Sequence, residues 1–281
     1  MTESYLCIKA IDLSVFSEGF SIASSFHKKI IDCNPQLGIH GYSMDIRLQF
    51  ENNIYPAKIT NNAFDRKKYP AHHDILQIRY GKKTGLPVAL QRVFWKSDRT
   101  IREIRKQRMP GDRRHIIIPE EQREYLVVYA TEQPDLFVLE AINAEEMTTM
   151  RSIVQTQSEL DFENRLISDF IDPEATIVER IAWQKMRKVN RKIGSGLKIL
   201  YHNRCQICGQ DIGEHYGIHI SEAHHIEYFV RSLNNEASNQ MIVCPNHHRI
   251  IHAVNPEFNW KKKVYVYPNG LEEGLLINYH L

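Results

Sequence analysis

Long hydrophobic runs are missing from this 281-residue sequence: no window approaches the ~18 consecutive apolar residues of a membrane-spanning helix. No membrane partner is therefore expected. The opening residues, MTESYLCIKAIDLSVF, lack a basic segment followed by a clean apolar core, so no secretory signal is expected either. Cysteine is scarce. Five in a chain of this length exclude a disulfide scaffold. There is no internal repeat and no low-complexity tract, which excludes solenoids and biased linkers. Nor is there an excess of one charge: 36 Lys and Arg face 34 Asp and Glu, for a net charge of +2. That balance excludes no partner, because a nucleic-acid-binding protein can carry its cations in patches. What is there, 42% hydrophobic and 25% charged residues, is the composition of one large or two ordinary globular domains.

Residues 1–150 read as a β-rich domain. The runs YSMDIRLQF, HDILQIRY, PVALQRVFW, RHIIIP, EYLVVYA and LFVLEAI have strand character, and breaks such as NNIYP, KKYPAHH and GKKTGLP separate them. SIASSFHKKIIDCNPQLG reads as one amphipathic helix ended at Asn34-Pro35. His72, His73 and Asp74 read as loop residues. Charge is unevenly spread. Between Arg92 and His115 nine Lys or Arg stand against three Asp or Glu, beside Phe94 and Trp95. This is either a solvated helix face or a phosphate-contacting surface, and Arg99, Arg102, Arg105, Lys106 and Arg108 are its candidate DNA contacts. From Glu132 to Glu174 the balance reverses, with eleven acidic residues against two basic ones, so this stretch is expected to face away from any nucleic acid.

Residues 151–194 read as a helical linker. Its last part is a basic amphipathic helix with Ile177, Ile181, Trp183 and Met186 on the apolar side. Arg187, Lys188, Arg191 and Lys192 form a cationic patch, from which Arg187 and Arg191 are candidate DNA contacts.

Residues 195–281 hold the chemistry. Three of the five cysteines fall between 205 and 244, and eight of the 14 histidines between 202 and 252. That clustering points to a reducing, cytoplasmic compartment and to metal. Cys205-x-x-Cys208 offers two thiolates on a tight turn that Gly209 helps to close, and Cys244-x-x-His247 repeats the spacing. The two pairs complete a tetrahedral Cys₃His zinc site. A redox dithiol would need a βαβ context, which is missing. His248 and His252 stand four apart and share a helix face, so they can grip one ion while His247, offset by one, faces the zinc. On a strand His224 and His225 point opposite ways, so one can ligate while the other acts as acid or base. Three imidazoles leave an ion open to water and a phosphate oxygen. Otherwise these histidines form a second structural site or lie on the surface. KKKVYVYPNGLEEGLLINYHL reads as a hairpin turning at Asn269-Gly270.

Three blocks, YHNRCQICG, EAHHI and SNQMIVCPNHHRIIH, together resemble the HNH endonuclease family in its zinc-stabilised ββα-metal form. The match covers residues 195–260. The resemblance implies His225 as general base and His224, His248 and His252 as ligands of a catalytic Mg²⁺, Mn²⁺ or other divalent ion. It implies Asn239 as the brace of the loop that orients the base, Arg249 as a phosphate contact, and Cys205, Cys208, Cys244 and His247 as the structural Zn²⁺ ligands. Asn234-Asn235 replaces a commoner Gly-Gly, and asparagine tolerates the left-handed turn needed there.

The expected class is therefore α+β: a β-rich recognition domain, a helical linker and a C-terminal ββα-metal domain. The expected function is hydrolysis of double-stranded DNA in restriction-modification or anti-phage defence, with a homodimer to cut both strands. Alternatives are a modification-dependent nuclease that holds a flipped base among Tyr42, Phe50, Tyr80 and Trp95, a non-catalytic zinc-stabilised DNA-binding protein, and a non-specific effector nuclease.

Overall fold

In the computed structural model, residues 3–22, 24–65, 67–68, 74–109, 112, 114, 116–119, 122–168 and 175–281 are described. His72, His73 and His115 lie outside them. The chain forms two compact units, Met1–Met147 and Thr148–Leu281. Both helices and sheets are present, as an α+β class requires, and no helix of the described residues is long and apolar enough to cross a membrane.

The first unit is built on a seven-stranded sheet with β1 (Ser4–Ala10), β2 (Gly19–Ser21), β3 (Ser43–Phe50), β4 (Asn53–Asn61), β5 (Leu76–Arg79), β6 (Tyr125–Ala130) and β7 (Leu136–Ile142). Their order is β1-β6-β7-β3-β4-β5-β2, antiparallel except where β3 runs parallel to β7. Helices α1 (His27–Cys33), α2 (Leu86–Val93) and α3 (Trp95–Lys106) accompany the sheet. Alternation drives the burial: Ile46, Leu48 and Phe50 of β3 face the core while Asp45 and Arg47 stand out. Phe50 and Tyr80 belong to this core, so neither lines an open pocket, whereas Trp95 is exposed.

Two expected strands are not strands. PVALQRVFW forms α2 and the start of α3, with Pro87 in the first helical turn and Leu86 and Leu90 inward. The segment 116–118 belongs to no strand, although Ile116 and Ile118 are buried and Ile117 is exposed. Conversely, all of NNIYP but its first residue, Asn52, lies within β4. Pro56 is tolerated because β5 pairs with β4 only from Lys58 onward, so no neighbour on that side asks for its missing N–H. A buried carboxylate ties two helix starts to the sheet. Glu124 Oε2 accepts from Ser97 N at 3.0 Å in the first turn of α3, and its Oε1 accepts from Ala144 N at 2.8 Å, the first residue of α4 (Ala144–Val154).

The second unit contains α5 (Glu159–Ile167), α6 (Ile177–Leu200), β8 (Glu222–His225), α7 (Phe229–Ser232), β9 (Gln240–Val243), α8 (Pro245–Val254), β10 (Glu257–Asn259), β11 (Val264–Val266) and β12 (Glu272–Gly274). The stretch expected as a separate linker is thus part of the same unit as the cysteine and histidine motifs. A reciprocal Thr176–Glu179 capping box opens α6. Its buried face is Trp183, Met186, Val189, Ile193 and Leu197; Ile177 and Ile181, expected on that face, are exposed because at about 100° per residue they lie on the opposite side of the helix. Gly194 lets α6 approach β8, where an added Cβ would lie 3.1 Å from the Ala223 methyl. The C-terminal hairpin β11–β12 turns through Gly270 at φ +85°, as the Asn-Gly dipeptide requires.

Glu124→Ala leaves two buried N–H groups at helix starts without an acceptor. It should cost the first unit about 2–4 kcal/mol in urea denaturation. An unchanged midpoint would reduce Glu124 to a passive core residue.

Candidate metal centres

Both candidate centres are assembled on one strand–strand–helix unit. Strands β8 and β9 pair antiparallel with His224 opposite Met241 and His225 opposite Gln240, and the chain passes from β9 straight into α8. Pro245 occupies the first turn of α8, and Asn255 ends it in the left-handed region.

On one side of α8 the four atoms of Cys205, Cys208, Cys244 and His247 lie within 4.8 Å of one another. His247 Nδ1 stands 3.1 Å from Cys244 Sγ and 3.5 Å from Cys205 Sγ. Bonds of ~2.3 Å to sulfur and ~2.0 Å to nitrogen around a tetrahedral Zn²⁺ require separations of roughly 3.5 Å, so the donor set fits that ion. The knuckle is a tight turn: Gly209 N donates to Cys205 O at 2.8 Å, and Gly209 sits at φ +71° with Leu276 pressed against it. His247 Nε2 faces Glu273 Oε1 at 3.4 Å, an outer carboxylate that helps set the ring's orientation.

On the other side His224, His248 and His252 converge, and a fourth residue stands among them. Glu163 Oε2 lies 2.8 Å from both His248 Nε2 and His252 Nε2, which are 3.2 Å apart, and its Oε1 is 3.4 Å from His224 Nδ1. Cis ligands at ~2.0–2.1 Å from one cation are separated by roughly 3.0–3.3 Å, and the observed separations of 2.8–3.4 Å bracket that range. His224 is fully buried, yet neither ring nitrogen has a hydrogen-bond partner among the described residues. Buried polar atoms are rarely left so, and an ion at this point would satisfy the ring. Glu222 Oε2 approaches His248 Nδ1 to 2.6 Å and fixes that imidazole.

His225 faces elsewhere. Its Nδ1 is 2.9 Å from Glu159 Oε1, its Nε2 is 3.1 Å from Asn190 Nδ2, and it is 2% exposed. With Glu159 and Glu163 it makes a third group of possible ligands. The alternation of a strand thus separates His224 from His225, while Glu163 reaches toward both. Asn239 is a brace: its Oδ1 accepts from Glu227 N at 2.8 Å, and its Nδ2 donates to Glu227 O and Asn234 O at 2.8 and 2.9 Å, which clamps the loop after His225. The left-handed residue of that loop is Leu233, not Asn234 or Asn235, because the turn reverses at the end of α7.

Burial opposes charge on every member of this cluster, and the partners decide the outcome. Desolvation would raise the Glu163 carboxyl, but the surrounding imidazoles hold it well below the usual carboxylate range. Burial would lower His225 and His248, yet the nearby carboxylates bring each up to about 9. His224 ends below its ordinary value, because burial outweighs Glu163.

The sequence offers no sign of Glu159 and Glu163. Both belong to the acidic stretch expected to face away from nucleic acid, and both are buried against the histidines. Arg191 and Arg187 hold α5 in place. Arg191 donates to Leu166 O and Ile167 O at 3.2 and 2.7 Å, and Arg187 donates to Arg165 O at 3.4 Å, so both meet the carbonyl end of α5. The candidate DNA contacts of the first unit lie on α3 and just beyond it. Arg99 and Arg102 are exposed and paired with Glu103 and Asp98 at 2.8 Å; Arg105 and Lys106 are exposed; Arg108 is half-buried and donates to Arg114 O. In the second unit, Arg249 is exposed on α8.

No protein-family model, curated protein or solved structure matches the chain.

If the sulfur-rich group holds zinc, Cys208→Ser should release it. The metal content should drop by one equivalent and the melting temperature by roughly 10 °C, since a structural site contributes directly to folding. Unchanged zinc and melting would remove the structural role.

Proposed function

We propose that the chain is a divalent-metal-dependent DNA endonuclease of the HNH type, acting in restriction. The observation that carries this reading is the convergence of His224 from β8 with His248 and His252 from α8, back to back with a Cys₃His group to which the same helix contributes His247. A zinc-stabilised DNA-binding protein has no use for the second cluster.

In this reading Cys205, Cys208, Cys244 and His247 hold Zn²⁺, and His224, His248 and His252 hold Mg²⁺, Mn²⁺ or another divalent ion. That ion, when bound, supplies positive charge to the pentacovalent phosphorus and the leaving 3′-oxygen. His225 takes the proton of the attacking water in its neutral form, so the imidazolium that Glu159 and Glu163 favour must first lose its own proton. Glu159 beside Nδ1 fixes its ring, and Asn239 fixes its loop. Arg249 meets a flanking phosphate. The outer face of α3, with Arg99, Arg102, Arg105 and Lys106, supports a role for the first unit in holding double-stranded DNA. A double-strand break by a one-site nuclease calls for two copies.

His225→Ala should abolish cleavage and keep fold and DNA affinity; normal cutting by this variant would refute its role as base. Plasmid DNA with and without base methylation is the matching substrate pair. Discrete cuts in the unmodified plasmid are expected, and cutting confined to the methylated one would replace the first reading with a modification-dependent nuclease.

A separate measurement addresses the first unit. Neutralising Arg102, Arg105 and Arg108 together should flatten the slope of log affinity against log salt by up to about 2–3, at ~0.9 for each phosphate left without its cation. A slope that does not move would return this helix to solvent.

A further inference from the structure

The three histidines explain an ion but not the carboxylate found among them. A buried Glu163 could simply accept hydrogen bonds from imidazole N–H groups. The geometry argues against this at two places. One carboxylate oxygen, Glu163 Oε2, lies 2.8 Å from both His248 Nε2 and His252 Nε2, which crowd to within 3.2 Å of each other, close to the spacing of ligands around one cation. His224 is fully buried beside the same carboxylate at 3.4 Å, yet makes no hydrogen bond to it or to any other described group. One divalent ion bound by both answers the two observations together.

We propose that Glu163 is a fourth protein ligand, so that the ion sits in a closed His₃Glu set with the carboxylate delivered by α5. The proposal rests on the reading of the three-histidine cluster as an ion site. A carboxylate ligand of this kind strengthens binding and lowers the net charge of the centre by one. It takes one of the coordination positions that three imidazoles alone would leave open.

The experiment is a Co²⁺ titration of the full chain, with its structural zinc retained, followed by visible absorption. Wild type should give the intense bands of four-coordinate Co²⁺. Glu163→Ala should give the weak bands of a five- or six-coordinate ion completed by water. Its affinity should fall by at least ~10-fold, since even outer partners of ligands are worth about that much. Glu163→Gln keeps the shape of the side chain and serves if the alanine variant does not fold, with the same expected result; zinc content and melting report on folding. His252→Ala is the parallel control. Wild-type affinity and spectrum in both Glu163 variants, with binding lost in His252→Ala, would overturn the role of Glu163 and leave the three-histidine site standing. Binding unchanged in His252→Ala as well would overturn the ion site itself.

Discussion

Much of the second unit answers to one buried charge. Glu163 is only 6% exposed. An isolated carboxylate in such a place costs several kcal/mol, so the fold must bring it positive or donating partners. It brings His225 from β8 and His248 and His252 from α8, with the His224 ring set beside them. The guanidiniums of Arg187 and Arg191 anchor the far end of the helix that carries it. Each of these elements is pinned elsewhere as well: β8 by β9 and by the approach of α6, α8 by the sulfur cluster. The carboxylate therefore does not organise the centre alone, but it sets how tightly α5 must sit.

Helix α8 makes the two centres neighbours. Ten residues long, it presents His247 to the thiolates and, one position on, turns His248 and then His252 the other way. The 100° step between consecutive helical residues is enough to address two clusters without any change of backbone. The sulfur side is closed by four protein atoms, which suits a structural ion. The nitrogen side takes its fourth candidate from a helix about 60 residues earlier in sequence, so the two ions would differ in how easily their shells can change.

How much of this is readable in the sequence follows from the range of each signal. The candidate zinc pairs are local, Cys-x-x-Cys and Cys-x-x-His, and the structure brings all four residues together. The i, i+4 relation of His248 and His252 and the alternation at His224-His225 are also local, and they place the three imidazoles correctly. Glu163 cannot be read this way, since a charged residue on an amphipathic helix looks the same whether it meets water or metal ligands. Aliphatic runs are ambiguous for a related reason. PVALQRVFW has strand composition, yet Pro87 after Gly85 starts a helix, and Pro56 makes a true strand resemble a break. Ile177 and Ile181 are a different case: the ~100° helical step already sets them opposite Trp183 and Met186, so their exposure is legible in the sequence.

The placement of α5 bears on what the smallest working piece of this protein is. A fragment begun at residue 195, where the recognisable motif starts, would keep every cysteine and histidine of the two clusters. It would lack both acidic side chains, the arginine anchors and most of α6, and would expose the inner face of β8 to water. A self-sufficient fold for the two candidate metal centres begins upstream of Glu159.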